Sequence, residues 1–171
     1  MQKLADFRVL AIAALLLAVS ACGFHMRGVQ SLPFETLYLQ ESGAPSIAKD
    51  LKRSLVSSGV KLVTTPEQAQ ASLDLMKESY EKRILSLSGS GRVREYQLIY
   101  TVTFRLREAG TELWGEPQST ELRRDFTYND AQTLAKDVEE ARLATDMRNE
   151  ASREVLRRVS SLSKNKPAAA E

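Results

Sequence analysis

The sequence predicts an α/β fold of the α+β class, with two helices packed on one face of a mainly antiparallel, four-stranded sheet in the order β-α-β-β-β-α. Residues 98–106 alternate between apolar and polar side chains, as in a strand with one buried face. Residues 134–162 repeat apolar side chains every three or four positions, which is typical of an amphipathic helix. Residues 88–91 read Ser-Gly-Ser-Gly between two strand-like segments and indicate a hairpin. Packing both helices on one face joins these apolar surfaces in a single core.

The first part of the predicted domain supplies one strand and one helix. Residues 36–40 alternate in polarity and predict the first strand. Ser46 is the expected N-cap of a helix that stops near Gly59, with core positions at Ile47, Leu51 and Leu55. Residues 60–63 then form a brief extended piece that runs toward a proline.

The middle of the chain predicts three longer strands. Residues 71–87 form one strand whose buried face changes phase, as at a β-bulge, because charged residues interrupt two apolar stretches. The alternating residues 97–106 form the next strand, and a turn at 108–111 leads to a further strand over residues 114–128. Pro117 cannot donate a ladder hydrogen bond, so we expect an edge strand or a bulge near the start of that strand. Its inward side chains are Leu122, Phe126 and Tyr128.

A long helix is predicted from its N-cap, Asp130, to about Leu162. The expected core stripe consists of Leu134, Val138, Ala141, Ala144, Met147, Ala151, Val155, Val159 and Leu162. Small residues in the middle of this stripe favour a close approach to the sheet. Residues 163–171 are expected to form a disordered tail.

Residues 1–21 are predicted to be a signal peptide that is removed from the mature protein. Lys3 and Arg8 lie near the start, residues 9–19 form an unbroken apolar run, and small residues follow. A membrane-spanning helix would need about 20 apolar residues, and this run is shorter.

The stretch Val19-Ser20-Ala21-Cys22 resembles the bacterial lipobox, in which the cysteine is acylated and becomes the first mature residue. The alternative is an ordinary signal peptide followed by a chance cysteine, but Cys22 is the only cysteine in the chain. Position 23 is glycine rather than the aspartate that retains lipoproteins in the inner membrane. This pattern predicts a lipid-anchored protein of the cell outer membrane that faces the periplasm.

The mature chain is expected to contain a lipidated tether at residues 22–34 and a single domain at residues 35–162. A dozen extended residues reach about 40 Å, so the tether lets the domain stand clear of the lipid surface. Phe24 and Met26 in the tether have two open interpretations: they dip into the membrane interface, or they pack on the domain or a partner.

Composition excludes several classes of function. Removing residues 1–21 takes away Lys3, Arg8 and Asp6, so 24 basic and 22 acidic residues become 22 and 21, a net charge of +1. A nucleic-acid-binding domain would be strongly basic, and we predict no nucleic-acid partner. The chain has one histidine, His25, beside the only cysteine, which leaves no partners for a catalytic triad or a Cys/His zinc site. We therefore predict no enzymatic activity, no metal and no cofactor other than the lipid on Cys22.

Several stretches together resemble the LptE family of lipopolysaccharide-assembly lipoproteins. Residues 22–27 (Cys-Gly-Phe-His-Met-Arg) are similar to the family's mature N-terminus, and residues 95–102 (Glu-Tyr-Gln-Leu-Ile-Tyr-Thr-Val) to its central strand. Residues 126–130 and 134–137 resemble the junction between a strand and the last helix. The resemblance runs from the lipobox to about residue 160, and segment 108–118 and the first helix match only in pattern.

The resemblance implies a place in the outer-membrane lipopolysaccharide translocon. It implies that the protein lies as a plug inside the β-barrel partner LptD, helps that barrel to assemble, and helps to place lipopolysaccharide in the outer leaflet. The polar face of the predicted sheet suits the lumen of a membrane barrel, where inward-facing residues are polar.

The expected ligand contacts follow from the phosphates of lipid A, which arginine and lysine bind. Lys136 lies in the stretch that matches the family and is the first candidate for lipopolysaccharide binding. Arg92 and Arg94, beside the turn at residues 88–91, are the second, although the basic residue of this turn is shifted from the family pattern. The alternative is that all three are solvated surface residues.

Two other classes of protein remain open from the residues alone. One is a different outer-membrane lipoprotein adaptor, such as a pilot protein or a barrel-assembly accessory, which would share the anchor and the domain. The other is a periplasmic hydrolase, which would require a cluster of acids with perturbed pKa values in a cleft.

Overall fold

A computed structural model describes residues 32–128 and 133–164 of the chain. Within these residues the chain forms two helices and a five-stranded mixed sheet, which confirms the α+β class. The elements are β1 (Thr36–Gln40), α1 (Pro45–Ser57), β2 (Lys61–Val63), a 3-10 turn (Pro66–Gln68), β3 (Ala71–Leu87), β4 (Val93–Glu108), β5 (Gln118–Thr127) and α2 (Thr133–Lys164).

The prediction of a four-stranded, mainly antiparallel sheet is wrong. The strand order is β2-β1-β3-β4-β5, and β1 runs parallel to both β2 and β3, while β3, β4 and β5 are antiparallel to one another in turn. The additional strand is β2, which was expected only as an extended piece. It has three residues, which is too short a run for alternation to distinguish a strand from a loop.

Helix α1 begins two residues earlier than predicted, with Ala44 rather than Ser46 at the N-cap position. Pro45 is suited to the first helical turn because its missing N–H would have no intrahelical partner there. Ser46 is therefore inside the helix. The Glu78 carboxylate, on β3, accepts hydrogen bonds from the main-chain N–H groups of Ser46 (3.1 Å) and Ile47 (3.3 Å). The helix ends at Ser57, and Gly59, with φ +83°, follows its C-cap, in agreement with the predicted stop near this glycine.

The expected change of phase in β3 is confirmed. The register with β4 shifts between Leu75 and Lys77, and a second irregularity lies at residues 84–87. Gly43 packs directly against the first bulge, and its N–H donates to the Leu75 carbonyl at 2.9 Å. A Cβ at position 43 would lie 2.2 Å from the Met76 carbonyl oxygen, so this close approach requires glycine.

The alternating face of β4 is buried as predicted, and the next strand starts later than predicted. All five apolar residues of that face lie in the core: Leu98, Tyr100, Val102, Phe104 and Leu106. Strand β5 begins at Gln118, directly after Pro117, and is an edge strand of the sheet. Residues 109–117 form a loop that folds back so that the Gly115 N–H donates to the Leu106 carbonyl at 2.9 Å.

The apolar stripe of α2 is buried over only part of its length. Met147, Ala151, Val155 and Val159 are buried as predicted. The exposed positions, which contradict the prediction of a core stripe, are Leu134 (81%), Val138 (67%), Ala141 and Leu162 (39%). For the first three the reason is length: α2 has 32 residues and α1 has 13, so the first half of α2 extends beyond the helix that covers its second half.

The helix α2 continues through residues 163 and 164, two residues beyond its predicted end. Several other predictions lie outside the described residues: the signal peptide 1–21, the tether residues 22–31, the cap Asp130 and tail residues 165–171.

The two ends of the sheet differ in composition. We call "tether end" the end where the described chain enters at residue 32, where β4 finishes and where α2 finishes. We call "hairpin end" the opposite end, which contains the β3–β4 turn, the end of β5 and the start of α2. Because β1 pairs with β3 only at residues 71–74, the sheet narrows to β3, β4 and β5 toward the hairpin end. Both helices cover the same face of the sheet, and we call the other face "open".

Candidate functional site

The β3–β4 turn presents two unpaired arginines at the hairpin end. The turn is fixed by main-chain hydrogen bonds from Ser88 to Arg92 (2.7 Å) and from Gly91 to Ser88 (2.9 Å), with Gly91 at φ +78°. The Arg92 and Arg94 side chains are exposed. Within the described residues, neither guanidinium makes an ion pair or a hydrogen bond. The Arg94 carbonyl accepts the N–H of Tyr128 at 2.7 Å, which fixes the main chain beneath this arginine.

Lys136 lies in the first turn of α2 at the same end of the molecule. Its Nζ is 2.7 Å from an oxygen of Glu139, and its side chain is only 17% exposed. The three predicted site residues therefore share one end of the fold.

Sequence reasoning missed a fourth cation, Lys82, which lies between them on the helix-covered face. Its Nζ is 4.3 Å from the ring centroid of Tyr96, and more distant from the rings of Phe126 (5.6 Å) and Tyr128 (5.9 Å). It also makes an ion pair with Glu140 of α2 at 2.5 Å. Lys82 lies inside the charged run of β3. It pairs opposite Leu98, a residue of the apolar face of β4, and this pairing is the feature that could have identified it.

Glu140 connects this cluster to a tyrosine. The Tyr80 hydroxyl donates to the Glu140 carboxylate at 3.1 Å. Burial, together with the negative charge and hydrogen bond of Glu140, raises the pKa of Tyr80 to about 12. Burial alone would lower the pKa of Lys82, but the hydrogen bond and charge of Glu140 outweigh it and the pKa is raised. Lys82 therefore remains a cation at neutral pH.

Tyr100, which is buried, joins α1 to the sheet. The Tyr100 hydroxyl donates a hydrogen bond to Glu78 at 2.6 Å, and Glu78 also accepts hydrogen bonds from two N–H groups at the start of α1. Burial first, and then the hydrogen bond and charge of Glu78, raise the pKa of Tyr100. Both tyrosines thus keep their protons and act as hydrogen-bond donors.

Exposed apolar side chains accompany the cations at the hairpin end. They come from β3 and from the uncovered start of α2, and they are Tyr80, Ile84, Leu85, Leu87, Leu134 and Val138. Scattered exposed apolar residues are ordinary, but a cluster at one end of a domain marks a surface that contacts a partner or a lipid. This end of the molecule is thus both cationic and apolar.

The open face of the sheet is polar and contains one buried ion pair. Asp74 is 1% exposed, and its carboxylate accepts hydrogen bonds from Arg105 Nε (3.0 Å) and the Ser42 hydroxyl (2.6 Å). Trp114, from the 109–117 loop, lies over both Arg105 (4.6 Å) and Arg107 (4.8 Å). Beyond this cluster the face presents polar side chains such as Gln97 and Thr101.

Within residues 32–128 and 133–164, no group of three or more histidine, cysteine, aspartate or glutamate side chains is arranged to hold a metal ion. No helix in this part of the chain is both long and apolar enough to cross a bilayer. Cys22 and His25 lie outside the described residues.

Comparison with known families gives a match over most of the domain. Residues 34–159 match the sequence model of the family described as LptE, lipopolysaccharide-assembly. A relative named LPS-assembly lipoprotein LptE, from Pectobacterium atrosepticum, is 30% identical over 155 residues, which cover 88% of this chain and 82% of the relative. The protein of the same name from Photorhabdus laumondii is 26% identical over 146 residues, which cover 84% and 79% of the two chains.

Solved structures of similar proteins share the fold. Lipoprotein B from Nitrosomonas europaea superposes with a TM-score of 0.72 at 40% identity, covering 84% of this chain and 94% of that one. The rare lipoprotein B from Shewanella oneidensis gives a TM-score of 0.69 at 31% identity, covering 76% and 97%. The arrangement of sheet and helices is therefore similar to that of solved lipoproteins.

Proposed function

Because the chain belongs to the LptE family of lipopolysaccharide-assembly lipoproteins, we propose that it binds lipopolysaccharide at its hairpin end and acts as a non-enzymatic plug of the outer-membrane barrel LptD. In this role it helps the barrel to assemble and assists insertion of lipopolysaccharide into the outer leaflet. A lipid on Cys22 holds it to the outer membrane, with the domain on the periplasmic side within the barrel.

The observation that carries the lipopolysaccharide site is the combination of cations and apolar side chains at one end of the fold. Lipid A is an amphiphile with phosphates and acyl chains, so its receptor needs both kinds of contact. Arg92 and Arg94 are unpaired in the described part of the chain and exposed, as a phosphate ligand requires. Lys136 would have to exchange its contact with Glu139 for a phosphate.

Charge reversal tests this site. Arg92→Glu, Arg94→Glu and Lys136→Glu together should weaken binding of purified lipopolysaccharide by roughly 10- to 100-fold, if each cation contributes about 0.5–1 kcal/mol. Binding is measured in detergent with the acylated protein, and circular dichroism verifies that the fold is retained.

A matched control separates a specific site from net charge. Lys49→Glu, Lys61→Glu and Arg153→Glu change the net charge equally, at exposed positions away from the β3–β4 turn. The control should bind lipopolysaccharide like the original protein, apart from a uniform electrostatic effect. Equal losses in both triple variants would overturn the site, and unchanged binding in the first would do the same.

The open face of the sheet supports the proposed contact with the LptD lumen. Its side chains are polar, while the helix-covered face is buried in the core. The lumen wall of an outer-membrane barrel is also polar, because lipid-facing and lumen-facing residues alternate along each strand. A polar sheet face can lie against such a wall without leaving apolar surface in water.

Co-purification tests the partner. The acylated protein should remain bound to LptD in detergent, and Thr101→Trp on the open face should reduce the recovered barrel. Lys49→Trp, on the exposed face of α1, serves as the control and should not. Recovery of a different barrel or secretion protein would support the alternative of another outer-membrane lipoprotein adaptor. Loss of LptD only with Lys49→Trp would show that the helices face the barrel.

The mass of the mature protein tests whether Cys22 carries the lipid anchor. One acyl chain gives marginal membrane binding at about 0.8 kcal/mol per buried CH₂, so the two or three chains of a bacterial lipoprotein make a lasting anchor. Mass spectrometry of protein from its native membrane should find the mature chain starting at an acylated Cys22. An unmodified Cys22, or a chain that still carries residues 1–21, would contradict the anchor.

A further inference from the structure

A groove at the tether end has no role in the proposed function. It has a volume of about 890 Å³ and lies between the 109–117 loop, the end of β4 and the last turns of α2. Its lining includes Leu106, Arg107, Leu113, Trp114, Glu116 and Leu162. Leu113, one of the lining residues, is 84% exposed.

The walls of the groove are fixed. Trp114 is held over Arg105 and Arg107, and the Gly115 N–H is bonded to the Leu106 carbonyl. On the other side, the Ser163 hydroxyl donates to the Glu108 carboxylate at 3.1 Å, which joins the end of α2 to the end of β4. The groove is therefore a preformed feature between two secondary-structure elements.

We propose that tether residues Phe24–Arg27 occupy this groove. The chain enters the fold at the same end: the Glu35 N–H donates to the Gln70 side chain (2.7 Å), and the Ala109 N–H donates to the Gln70 carbonyl (2.9 Å). Gln70 thus bridges the residue that directly follows the tether and the loop that forms the groove. Residues 28–31, which join this segment to residue 32, extend at most about 14 Å. That is sufficient to cross from β1 over β3 to β4, which are about 10 Å apart.

The chemistry of the segment matches that of the groove. Phe24 and Met26 supply two large apolar side chains for a lining that contains Leu113 and Leu162. A methionine sulfur and an aromatic ring also make favourable contacts with an indole such as Trp114. Arg27 carries a positive charge toward a rim that is mainly acidic.

The acidic rim consists of Glu112 and Glu116 in the loop, in addition to Glu108 at the end of β4. Within the described residues, Glu112 and Glu116 make no ion pair, so both are available to a cation. The only cationic group of the lining is Arg107, which Trp114 already covers. The charge of the rim therefore favours a basic segment in the groove. An acidic segment, or the same acidic rim of a second molecule, would be repelled.

Docking of this segment would shorten the tether. A free tether of a dozen residues spans about 40 Å, whereas only Cys22 and Gly23, roughly 7 Å, would separate the lipid from an occupied groove. The tether end of the domain would then lie against the membrane with a defined orientation. The docking itself does not depend on lipopolysaccharide binding or on LptD, so it can be tested apart from both.

Disulfide cross-linking in the full mature protein, purified in detergent, tests the docking. Met26→Cys with Leu113→Cys should form an intramolecular disulfide under mild oxidation. The control pair is Met26→Cys with Val56→Cys, because Val56 is exposed near the end of α1, also at the tether end, but outside the groove. Cross-linking at position 113 well above that at position 56 supports the proposal. Equal yields, no cross-link at position 113, or a cross-link between two molecules would overturn it.

Fluorescence provides a second measurement without new cysteines. Trp114 is the only tryptophan of the chain, so the emission reports on the groove alone. Phe24→Ala with Met26→Ala should shift the emission to the red and increase quenching by acrylamide, because water would then reach the indole. Val29→Ala, in the tether but outside the proposed docking segment, is the control and should leave the emission unchanged. An emission spectrum that is the same in the double variant and the original protein would contradict docking.

Discussion

The half of the molecule at the tether end (the tether half) and the half at the hairpin end (the hairpin half) share strands β3, β4 and β5 but are stabilised differently. In the tether half, five strands and two helices surround a continuous core that includes Leu37, Leu51 and Phe104. In the hairpin half, three strands carry only the start of α2, and apolar residues such as Ile84 and Leu134 remain exposed. There, Lys82 lies over the ring of Tyr96, and ion pairs join α2 to the sheet.

This difference separates stability from recognition. Apolar burial contributes about 25 cal/mol per Å² removed from water, so a core covered on all sides holds most of the folding free energy. An end with few buried contacts and exposed apolar side chains is available to a ligand, and local opening costs less there. The tether half is accordingly the structural base, and the hairpin half is the binding surface in the proposed function.

The largest effect is expected in the core of the tether half. Phe104 is fully buried, and Phe104→Ala should lower the free energy of unfolding by about 3–5 kcal/mol through lost burial and a cavity. The matched change in the hairpin half, Ile84→Ala, should cost about 0.5 kcal/mol or less. Urea unfolding followed by circular dichroism compares the two. Equal losses would show that the hairpin half is as well packed as the tether half.

The next largest effect is expected at the junction of α1 and the sheet. Glu78→Ala removes the acceptor for the start of α1 and for the Tyr100 hydroxyl, and should cost about 1–2 kcal/mol. Glu81→Ala, which breaks an exposed pair with Arg83, should cost at most about 0.5 kcal/mol. The same urea experiment measures both. A cost for Glu78→Ala no larger than that for Glu81→Ala would mean that water replaces this cap.

A smaller and more local effect is expected for the cation among the rings. Lys82→Met keeps the aliphatic stem but removes the charge that contacts Tyr96 and Glu140, which should cost about 1 kcal/mol. Hydrogen exchange in the first turns of α2 should become roughly fivefold faster, while exchange in its second half stays the same. Arg83→Met, on the open face, is the control. Unchanged hydrogen exchange in the Lys82 variant would show that the contacts of Lys82 with Tyr96 and Glu140 do not stabilise the start of α2.

The smallest effect is expected at alkaline pH. The pKa of Tyr80 is raised to about 12 in the folded protein, so the folded state holds this proton more tightly than the unfolded state, whose tyrosine pKa is about 10. Its contribution to stability is complete below pH 10 and is lost as the pH rises from 10 toward 12. Tyr80→Phe should therefore reduce the loss of unfolding free energy over this range.

Urea midpoints at pH 9, 10 and 11 measure that slope. Tyr100, whose pKa is also raised, contributes in both proteins, so the difference between them isolates Tyr80. Identical slopes in the variant and the original protein would contradict the raised pKa.

Much of the fold could be predicted from the sequence, because apolar and polar residues alternate along the strands and glycines mark the turns. The bounds of β1, the buried face of β4, the bulge in β3 and the glycine turn were predicted correctly, because each depends on local alternation or on glycine geometry. What could not be predicted depends on distant partners. Strand β2 is recognisable only beside β1, and the cap of α1 comes from Glu78, more than 30 residues away.

The same distinction applies to the candidate site. The exposed arginines were identified because they lie next to a turn, which is a local feature. Lys82 was missed because the three rings near it belong to β4, to β5 and to the residue that follows β5, and periodicity does not indicate which strands pair. Leu134 and Val138 were assigned to the core because periodicity gives the apolar face of a helix but not the length of its neighbour.

The most direct test of the central claim is photo-cross-linking in living cells. A benzophenone amino acid is placed at Leu87, beside the hairpin, or at Val56 on α1, both exposed positions. After irradiation, we expect an adduct that reacts with antibody to lipopolysaccharide at position 87 and none at position 56. Equal adducts at the two positions, or an adduct only at position 56, would contradict a lipopolysaccharide site at the hairpin end.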